Sequence, residues 1–359
     1  MKPRPPLGIR LSPAKARGML VELLTRYGAG RREASEVAAH LVFADMTGHP
    51  SHGLLRAAWY IDKIEKKEIV PEAAIRVLRK TPSSAVVDGG WGFGQPIARF
   101  AMELAIRKAR CGVISCVTVR RCNHIGRLGA YTALAARKGM AGIALANLHG
   151  TSHCVAPFGG IDRRLPTNPI SIALPRRGRP DFLLDTTSCA VAEGKLQVYR
   201  NRGQRLPEGW IIDHRGKPAE DANLFYNEPR GAILPLGGVA GHKGFALALA
   251  IDALAGGLSG ALCSQPGASR HGNACCFIAV DIRRFTPLKA FVAQVEKLAA
   301  HAKSSRPAKA GGAIHIPGEP EALAEKAAAL HGIAIEPPVW DRLKAKAAAV
   351  GLDLEAGFL

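Results

Sequence analysis

The chain has few acidic side chains and few aromatic rings for its 359 residues. Asp and Glu total 29 against 49 Lys and Arg, giving a formal net charge of +20, and aromatic residues make up 6%. Nucleic-acid binding uses clustered cations together with stacking rings. Here the arginines come as isolated pairs along the whole length, such as Arg31-Arg32, Arg120-Arg121 and Arg283-Arg284. We therefore expect no nucleic-acid partner, and a basic nucleic-acid-associated protein is kept as the alternative from another class.

A long uninterrupted apolar run is also missing. The most membrane-like stretch, residues 244–262, contains Asp252 and several glycines. It falls short of the ~20 apolar residues that a membrane span needs. The N-terminal segment has charges and prolines but lacks the apolar stretch of a secretory signal. We expect a cytoplasmic protein without a membrane partner.

The cysteines and histidines lack the spacing of metal ligands. The eight cysteines show no repeated Cys-x-x-Cys, and the twelve histidines include no His-x-x-x-His on a predicted helix. Zinc sites in proteins are built from such closely spaced sets. We therefore expect no metal site.

Apolar periodicity divides the chain into three regions. Residues 1–72 predict a helical region, with helices over 12–27, 32–46 and 53–66. Residues 73–303 alternate β-branched runs with alanine-rich segments, which is typical of an α/β core that binds cofactor and substrate. Residues 304–359 predict a basic connector and helices that pack back on this core. Within the core we expect strands at 84–87, 112–119, 142–146, 170–174, 182–184 and 277–281, helices at 97–110, 128–138, 190–199, 245–256 and 288–302, and a long loop at 200–241.

Two glycine clusters do not match known phosphate-binding motifs. Residues 87–94 lie between a predicted strand and a helix but lack Gly-x-Gly-x-x-Gly. Residues 237–244 resemble a P-loop, but Gly244 stands where a Ser or Thr must bind Mg²⁺. Lys243 is an ordinary surface lysine or, because it begins a predicted helix, a contact for an anion.

The segment from Ser51 to Arg56 combines groups suited to a carboxylate substrate. His52 and Arg56 are four residues apart, so a helix would place them on one face. An arginine can hold a carboxylate through two hydrogen bonds, and a histidine can exchange a proton with the adjacent oxygen or nitrogen. The alternative interpretation is a capping serine followed by a surface histidine and arginine.

Three further polar segments follow predicted strands or prolines. The loop at 123–127 contains His124, and loops after strands often carry binding groups. Thr167 lies in a turn bounded by prolines, which is a binding segment or simply a stiff turn. Asp185 ends an apolar strand, where it orients a histidine or caps the next helix.

Taken in order, the motifs identify a family resemblance over residues 12–350. The motifs are SHGLLR (51–56), NHIGRLGAY (123–131), PTNPI (166–170), LDTTSCAVAEGK (184–195), LPEGWIID (206–213), PLGGVAGHKG (235–244) and PGEPE (317–321). This series resembles the malate/L-lactate dehydrogenase family, which includes ureidoglycolate and sulfolactate dehydrogenases, diketogulonate reductase and Δ1-piperideine-2-carboxylate reductase. The resemblance implies a homodimeric oxidoreductase with a non-Rossmann NAD(P)-binding fold.

The resemblance also implies a reaction and a set of site residues. The expected reaction interconverts a small anionic 2-oxo acid and its 2-hydroxy acid, with reduction of a cyclic 2-imino acid as the alternative. His52 would be the proton donor with Ser51 and Asp185 as relay partners, His124 the second candidate for that role, and Arg56 and Thr167 the substrate contacts. The cofactor, NADP or NAD with NADP favoured by the positive charge, would contact His124, Ile125, Gly126, Arg127, Leu128, Leu184, Asp185, Thr186, Thr187, Ser188, Cys189, Ala190, His242, Lys243, Gly318, Glu319 and Pro320.

Overall fold

The computed structural model describes residues 9–149, 153–178, 180–265, 270–309 and 311–358. Its helices are α1 (Pro13–Arg26), α2 (Arg31–Met46), α3 (Ala57–Glu65), α4 (Gly94–Gly112), α5 (Gly129–Ala136), α6 (Glu193–Asn201), α7 (Asn223–Tyr226), α8 (Gly241–Asp252), α9 (Leu288–Lys303), α10 (Glu319–His331), α11 (Pro337–Ala348) and α12 (Leu354–Phe358). Its strands are β1 (Ile9–Leu11), β2 (Arg76–Lys80), β3 (Ser84–Asp88), β4 (Ile114–Cys122), β5 (Ala141–His149), β6 (Pro169–Leu174), β7 (Phe182–Thr187), β8 (Ile211–Ile212), β9 (Pro218–Ala219), β10 (Ala232–Ile233), β11 (Gly272–Val280) and β12 (Ile333–Ile335).

A seven-stranded sheet forms the centre of the molecule, in the order β2-β3-β4-β11-β5-β6-β7. Only β3 and β4 run parallel, and every other neighbouring pair is antiparallel. The classical dinucleotide-binding fold uses a mostly parallel sheet with a glycine fingerprint after its first strand. The α/β class is confirmed, and the mixed sheet explains why that fingerprint is absent.

The two faces of the sheet are covered by different helices. One face packs against α4 and α5 through alanines and larger residues such as Ile97, Met102 and Phe277. The other face packs against α8 and the π-helical turn Ala253–Gly257 that continues it, with Ile251 and Ala255 against the strands. The sheet thus fixes the loops at its strand ends, where the polar segments lie.

The N-terminal helices have a core of their own, shared with the C-terminal segment. Ser12 caps α1 by accepting a hydrogen bond from the Lys15 backbone N–H at 3.2 Å, as its position predicts. Trp340 and Leu343 of α11 are buried in this core, and β1 pairs with β12. The C-terminal helices were expected to pack on the α/β core, but α11 and α12 pack on the N-terminal helices. The domain boundaries remain a prediction.

The predicted loop at 200–241 contains a small folded unit. Strands β8, β9 and β10 form a three-stranded sheet, and α7 lies between β9 and β10. Leu196 of α6, Ile211, Phe225 and Ile233 share one apolar cluster. Strands of two residues are too short for a period-two pattern to show in the sequence.

One helical stretch of the described chain is long and apolar enough to cross a membrane by length and composition. It covers Gly238–Gly257, with a mean hydropathy of 1.2, and a third of it is buried in the protein. It contains Asp252, which is 3% exposed and accepts hydrogen bonds from Asn147, Asn168 and Ser264. This network ties the helix to β5 and to the segment before β6.

Candidate functional site

The segment that carries Ser51, His52 and Arg56 is a pair of 3₁₀ turns. The turns cover Pro50–His52 and Leu54–Arg56, so the helix predicted from residue 53 begins instead at Ala57. The Asp45 carboxylate accepts a hydrogen bond from the Leu54 backbone N–H at 2.7 Å. A Cβ on Gly53 would lie 2.2 Å from that carboxylate, so this position needs glycine. The turns are thus held against the end of α2.

His52 and His124 lie face to face although they belong to distant segments. Their ring centroids are 5.5 Å apart, and the ring planes differ by 16°. The Ser51 hydroxyl is 2.9 Å from Nδ1 of His52, and the Tyr60 hydroxyl is 2.7 Å from Nδ1 of His124. The structure therefore brings together both histidines that the sequence offers as proton carriers.

Both imidazoles are neutral at neutral pH. Both residues are half-buried, and burial lowers the pKa of His52 to about 3 and the pKa of His124 well below its usual range. The positive charge of Arg56 acts in the same direction on both. A neutral imidazole can accept a proton from an alcohol, and an anion bound beside it would favour its protonated form.

Arg56 is oriented by the protein on two of its three nitrogens. Its Nε donates to the Ser51 carbonyl at 2.8 Å, and one terminal nitrogen, Nη2, donates to Glu193 at 3.2 Å. Glu193 also accepts from the Tyr226 hydroxyl at 2.8 Å. Within the described residues, Nη1 of Arg56 has no hydrogen-bond partner, so this nitrogen is available to a carboxylate ligand.

Helix α6 makes this arrangement possible through a close approach. A Cβ on Gly194 would lie 2.6 Å from Nη2 of Arg56 and 2.7 Å from the Cβ of Ser51. No side chain fits at this distance, because contacts below 3.0 Å are essentially absent between real Cβ atoms and their neighbours. Gly194 therefore lets the first turn of α6 bring Glu193 onto Arg56.

Asp185 is bonded to Arg127 and Gly129, whereas the sequence predicts a pairing with His52. Its carboxylate accepts from Nε of Arg127 at 3.2 Å and from the Gly129 backbone N–H at 2.8 Å. In the parts of the chain that the structure covers, no hydrogen bond joins it to His52 or Ser51. The expected relay of Asp185 with His52 is not formed, because the Asp185 carboxylate is paired with Arg127, which is 3% exposed.

Arg127 connects the site to the N-terminal helices. Its Nη1 donates to the Thr47 hydroxyl at 2.8 Å, and its backbone N–H donates to Nε2 of His40 at 2.8 Å. Burial lowers the pKa of His40 to about 3, so this ring is a neutral acceptor. The pair of Arg127 and Asp185 thus joins α2 to β7.

The turn around Thr167 is anchored through its backbone. The Thr167 carbonyl accepts from the Ser188 backbone N–H and hydroxyl, both at 3.1 Å. Asn168 has a positive φ of 35° and donates to the Ala248 carbonyl and to Asp252. Apolar core packing surrounds Cys189, which is 2% exposed.

The four segments expected to contact the cofactor converge around β7. Gly129, after the 124–128 loop, bonds Asp185; the Leu183 N–H donates to the Pro317 carbonyl before the 318–320 turn; and the Leu236 N–H donates to the Ser188 carbonyl. The remaining residues of the set lie on the same four segments. Ile125, Gly126 and Leu128 are in the first segment, and Leu184, Thr186, Thr187 and Ala190 are in the second. His242 and Lys243, both exposed, lie at the start of α8, and Gly318, Glu319 and Pro320 lie at the start of α10. The Glu319 carboxylate is already paired with Arg176 and Lys303.

Four side chains near the histidines were not predicted from the sequence: Tyr60, Gln95, Glu193 and Tyr226. Tyr60 and Gln95 are buried among the apolar faces of α3 and α4. A buried phenol or amide needs a hydrogen-bond partner. The presence of Tyr60 and Gln95 on apolar helix faces is therefore the feature of the sequence that could have indicated these two residues. Nothing in the sequence indicates that Glu193 reaches Arg56, because 137 positions separate them.

The mixed sheet sets the fold apart from the Rossmann class, and the fold brings a histidine pair together beside an arginine. The sequence pattern described as malate/L-lactate dehydrogenase matches residues 11–344. The chain belongs to the malate/L-lactate dehydrogenase family, and it is an oxidoreductase that acts on the CH–OH group of 2-hydroxy acids.

Individual relatives agree over nearly the whole length. Malate dehydrogenase of Pyrococcus abyssi is 38% identical over 96% of both chains. A solved structure of a putative malate/lactate dehydrogenase from E. coli superposes with a TM-score of 0.91 at 29% identity and covers 98% of each chain. Δ1-Piperideine-2-carboxylate reductase from Pseudomonas syringae pvar. tomato superposes with a TM-score of 0.81 at 26% identity and covers 94% of this chain and 100% of its own.

Proposed function

We propose that this protein interconverts a small 2-oxo acid and its 2-hydroxy acid by a proton transfer through His52, with Arg56 holding the substrate carboxylate. The observation that carries the proposal is the stacked pair of His52 and His124 beside an arginine that has one free nitrogen. A carboxylate bound to that nitrogen would place the neighbouring carbon and its oxygen near the two imidazoles. Orientation of this kind supplies much of the rate enhancement in such reactions.

The proton chemistry follows from the state of the histidines. In the oxidation of a hydroxy acid, neutral His52 accepts the hydroxyl proton, and the Ser51 hydroxyl at its Nδ1 orients the ring. In the reduction direction, the substrate carboxylate offsets the charge of Arg56, which after burial is the next cause of the low pKa of His52. His124 is the second candidate for the proton transfer, and Thr167 is a proposed substrate contact.

The residues around β7 suit a nicotinamide dinucleotide. The first turn of α8 has no side-chain cap and presents Lys243, a donor set that matches an anionic diphosphate. Gly318, with a φ of 101°, lies so close to the Asp181 carbonyl that a Cβ would be 2.5 Å from it. The dinucleotide, when bound, supplies or accepts the hydride. The sequence-derived cofactor contacts, Asp185 included, belong to this proposal.

We propose NADP in preference to NAD, together with a homodimer in the cytoplasm. The net charge of +20 favours the additional phosphate of NADP. Exposed apolar side chains on α8 and the helical stretch that follows it, Leu249, Leu254 and Leu258, are between 44% and 55% exposed. Solvent-exposed apolar patches commonly mark subunit interfaces, and this patch supports the family expectation of a dimer.

The test is the oxidation of NADPH and NADH by the purified protein with pyruvate, oxaloacetate and other 2-oxo acids. We expect turnover with at least one acid and a higher kcat/KM for NADPH. Absence of cofactor oxidation with every 2-oxo acid, together with absence of cofactor reduction with the corresponding 2-hydroxy acids, would exclude the proposed reaction. A higher kcat/KM for NADH would reverse only the cofactor assignment.

A cyclic 2-imino acid is the second candidate substrate class. The solved reductase of Δ1-piperideine-2-carboxylate shares the fold, and an imine nitrogen can take its proton from the same histidine. Adding Δ1-piperideine-2-carboxylate to the panel separates the two. The leading proposal requires that the best 2-oxo acid exceed the imino acid in kcat/KM.

A further inference from the structure

A buried chain of hydrogen bonds ends on His124. Gln95, in the first turn of α4, donates from its amide nitrogen to the Tyr60 oxygen at 2.7 Å. The same oxygen lies 2.7 Å from Nδ1 of His124. Tyr60 is 1% exposed and Gln95 is 3% exposed, so solvent does not compete for either bond.

The direction of these bonds determines the tautomer of His124. A tyrosine hydroxyl has one proton. With the Gln95 amide nitrogen donating to the Tyr60 oxygen, the geometry assigns Nδ1 of His124 as the acceptor of the Tyr60 proton. The ring proton of neutral His124 is then on Nε2, which has no hydrogen-bond partner within the described chain.

His52 is held differently. Among the residues that the structure describes, its Nδ1 has one hydrogen-bond partner, the Ser51 hydroxyl, which can donate or accept. Both tautomers of His52 are therefore allowed, and its Nε2 can gain or lose a proton without breaking a buried bond. For His124, a proton on Nδ1 would oppose the Tyr60 proton and leave the chain unsatisfied.

We propose that Tyr60 and Gln95 are positioning residues that hold His124 as a neutral Nε2–H donor, so that His124 polarises the substrate oxygen while His52 transfers the proton. This inference rests on the proposed function. It gives separate roles to the two histidines, which the sequence analysis offers for one and the same role with His52 first. A neutral imidazole can act as such a donor when its surroundings exclude the charged form.

The surroundings of His124 agree with the neutral state. The Tyr60 ring packs edge-on against Phe93 at 6.1 Å, and Trp59 packs edge-on against His124 at 5.7 Å. The positive charges of Arg56, from the 3₁₀ turns, and Lys63, from α3, oppose a second positive charge on His124. The other titratable groups that act on it are His52 from the 3₁₀ turns and His40 from α2, and Cys122 of β4 acts on Tyr60.

The test compares Tyr60→Phe and Gln95→Met with Tyr199→Phe, a matched control. Tyr199 is partly buried, packs edge-on against Trp210 at 5.2 Å and lies in a separate apolar cluster. Nitrogen-15 spectra of ligand-free protein with labelled histidine report the tautomer, and the loss of a signal in His124→Gln assigns it. We expect the Nε2–H form of His124 in the wild type and in Tyr199→Phe, and a mixture of both tautomers in Tyr60→Phe.

Activity gives the second readout. Removing the Tyr60 hydroxyl should lower kcat/KM about tenfold, the scale of one lost hydrogen bond, and Gln95→Met should lower it less. A Tyr60→Phe variant with an unchanged His124 tautomer and an unchanged kcat/KM overturns the inference. If no variant, wild type included, turns over any acid, the proposed function fails, while the tautomer spectra still decide the positioning role.

Discussion

At the scale of single residues, Arg56 supports the neighbouring loop and is proposed to bind the substrate carboxylate as well. Two of its nitrogens bond the Ser51 carbonyl and Glu193, and its guanidinium lies 5.6 Å from the centre of the Trp59 ring. A lysine would keep the charge but lose the planar fork that serves these partners together.

We therefore expect Arg56→Lys to raise KM for the 2-oxo acid by about 10- to 100-fold, the range for a hydrogen bond to a charged group. The value of kcat should change less, because the reacting atoms keep both histidines. Steady-state kinetics over a wide acid concentration range measure both constants. Equal losses in kcat and kcat/KM, with KM unchanged, would contradict a role in holding the carboxylate.

A variant of Asp185 can distinguish a structural role of this residue from the catalytic relay role predicted from the sequence. Its bonds to Arg127 and Gly129 predict a contribution to stability. Breaking a buried ion pair from one side typically costs about 3–5 kcal/mol, so we expect Asp185→Asn to lower the free energy of unfolding by an amount near the lower end of that range. Denaturant unfolding followed by circular dichroism measures it. Unchanged stability with a large loss of kcat would restore the relay role predicted from the sequence.

At the scale of elements, four helices with a sustained apolar period are predicted closely by the sequence. Helices α1, α2, α4 and α9 lie within a few residues of their predicted bounds because apolar periodicity is a local property. The β8–β10 sheet was missed because its strands are two residues long. The 3₁₀ turns were taken for a helix because the stabilising contact, Asp45 to the Leu54 N–H, is not local.

The candidate site also divides into residues that local sequence patterns indicate and residues that depend on long-range contacts. Ser51, His52, Arg56 and His124 could be selected from residue type and order, and the structure places both histidines together. Glu193, Tyr226, Tyr60 and Gln95 could not be selected, because their roles depend on which helix packs on which loop. The pairing of Asp185 with Arg127 also depends on tertiary packing, since 58 positions separate them.

The contact of α6 with the 3₁₀ turns gives an expectation for Gly194. Alanine favours a helix over glycine by about 1 kcal/mol, but its Cβ would collide with Arg56 and Ser51. We expect Gly194→Ala to raise KM at least severalfold and to lower the melting temperature. Gly18→Ala in α1 is the control, because its Cβ would be 3.7 Å from the nearest atom. A Gly194→Ala variant as active as this control would show that α6 does not need the close approach.

At the scale of the whole molecule, the buried histidines make stability depend on pH. Burial lowers the pKa of His40 and His52 to about 3 and that of His124 well below its usual range. Below a pH of about 6.5, the ordinary pKa of histidine, the unfolded chain binds protons that the folded chain does not. Stability from these groups is therefore present above pH 6.5 and is lost as the pH falls toward about 3.

Each neutral histidine should contribute a slope of up to about 1.4 kcal/mol per pH unit in this window. We expect the free energy of unfolding, measured with urea between pH 7 and 4.5, to fall steeply on the acid side. His40→Gln should reduce the slope by about one histidine's share. Stability that does not change over this range would show that the imidazoles are not held neutral by the fold.

The central claim is that His52 carries the proton while His124 donates a hydrogen bond. The most direct measurement is kcat for the best 2-oxo acid, at saturating cofactor and substrate, in the wild type, His52→Gln and His124→Gln. The account expects kcat to fall by about 10²–10⁴ in His52→Gln, the usual contribution of general acid–base catalysis. It expects a smaller loss in His124→Gln, because the glutamine amide still donates. A larger loss in His124→Gln than in His52→Gln would assign the proton to His124 and contradict the account.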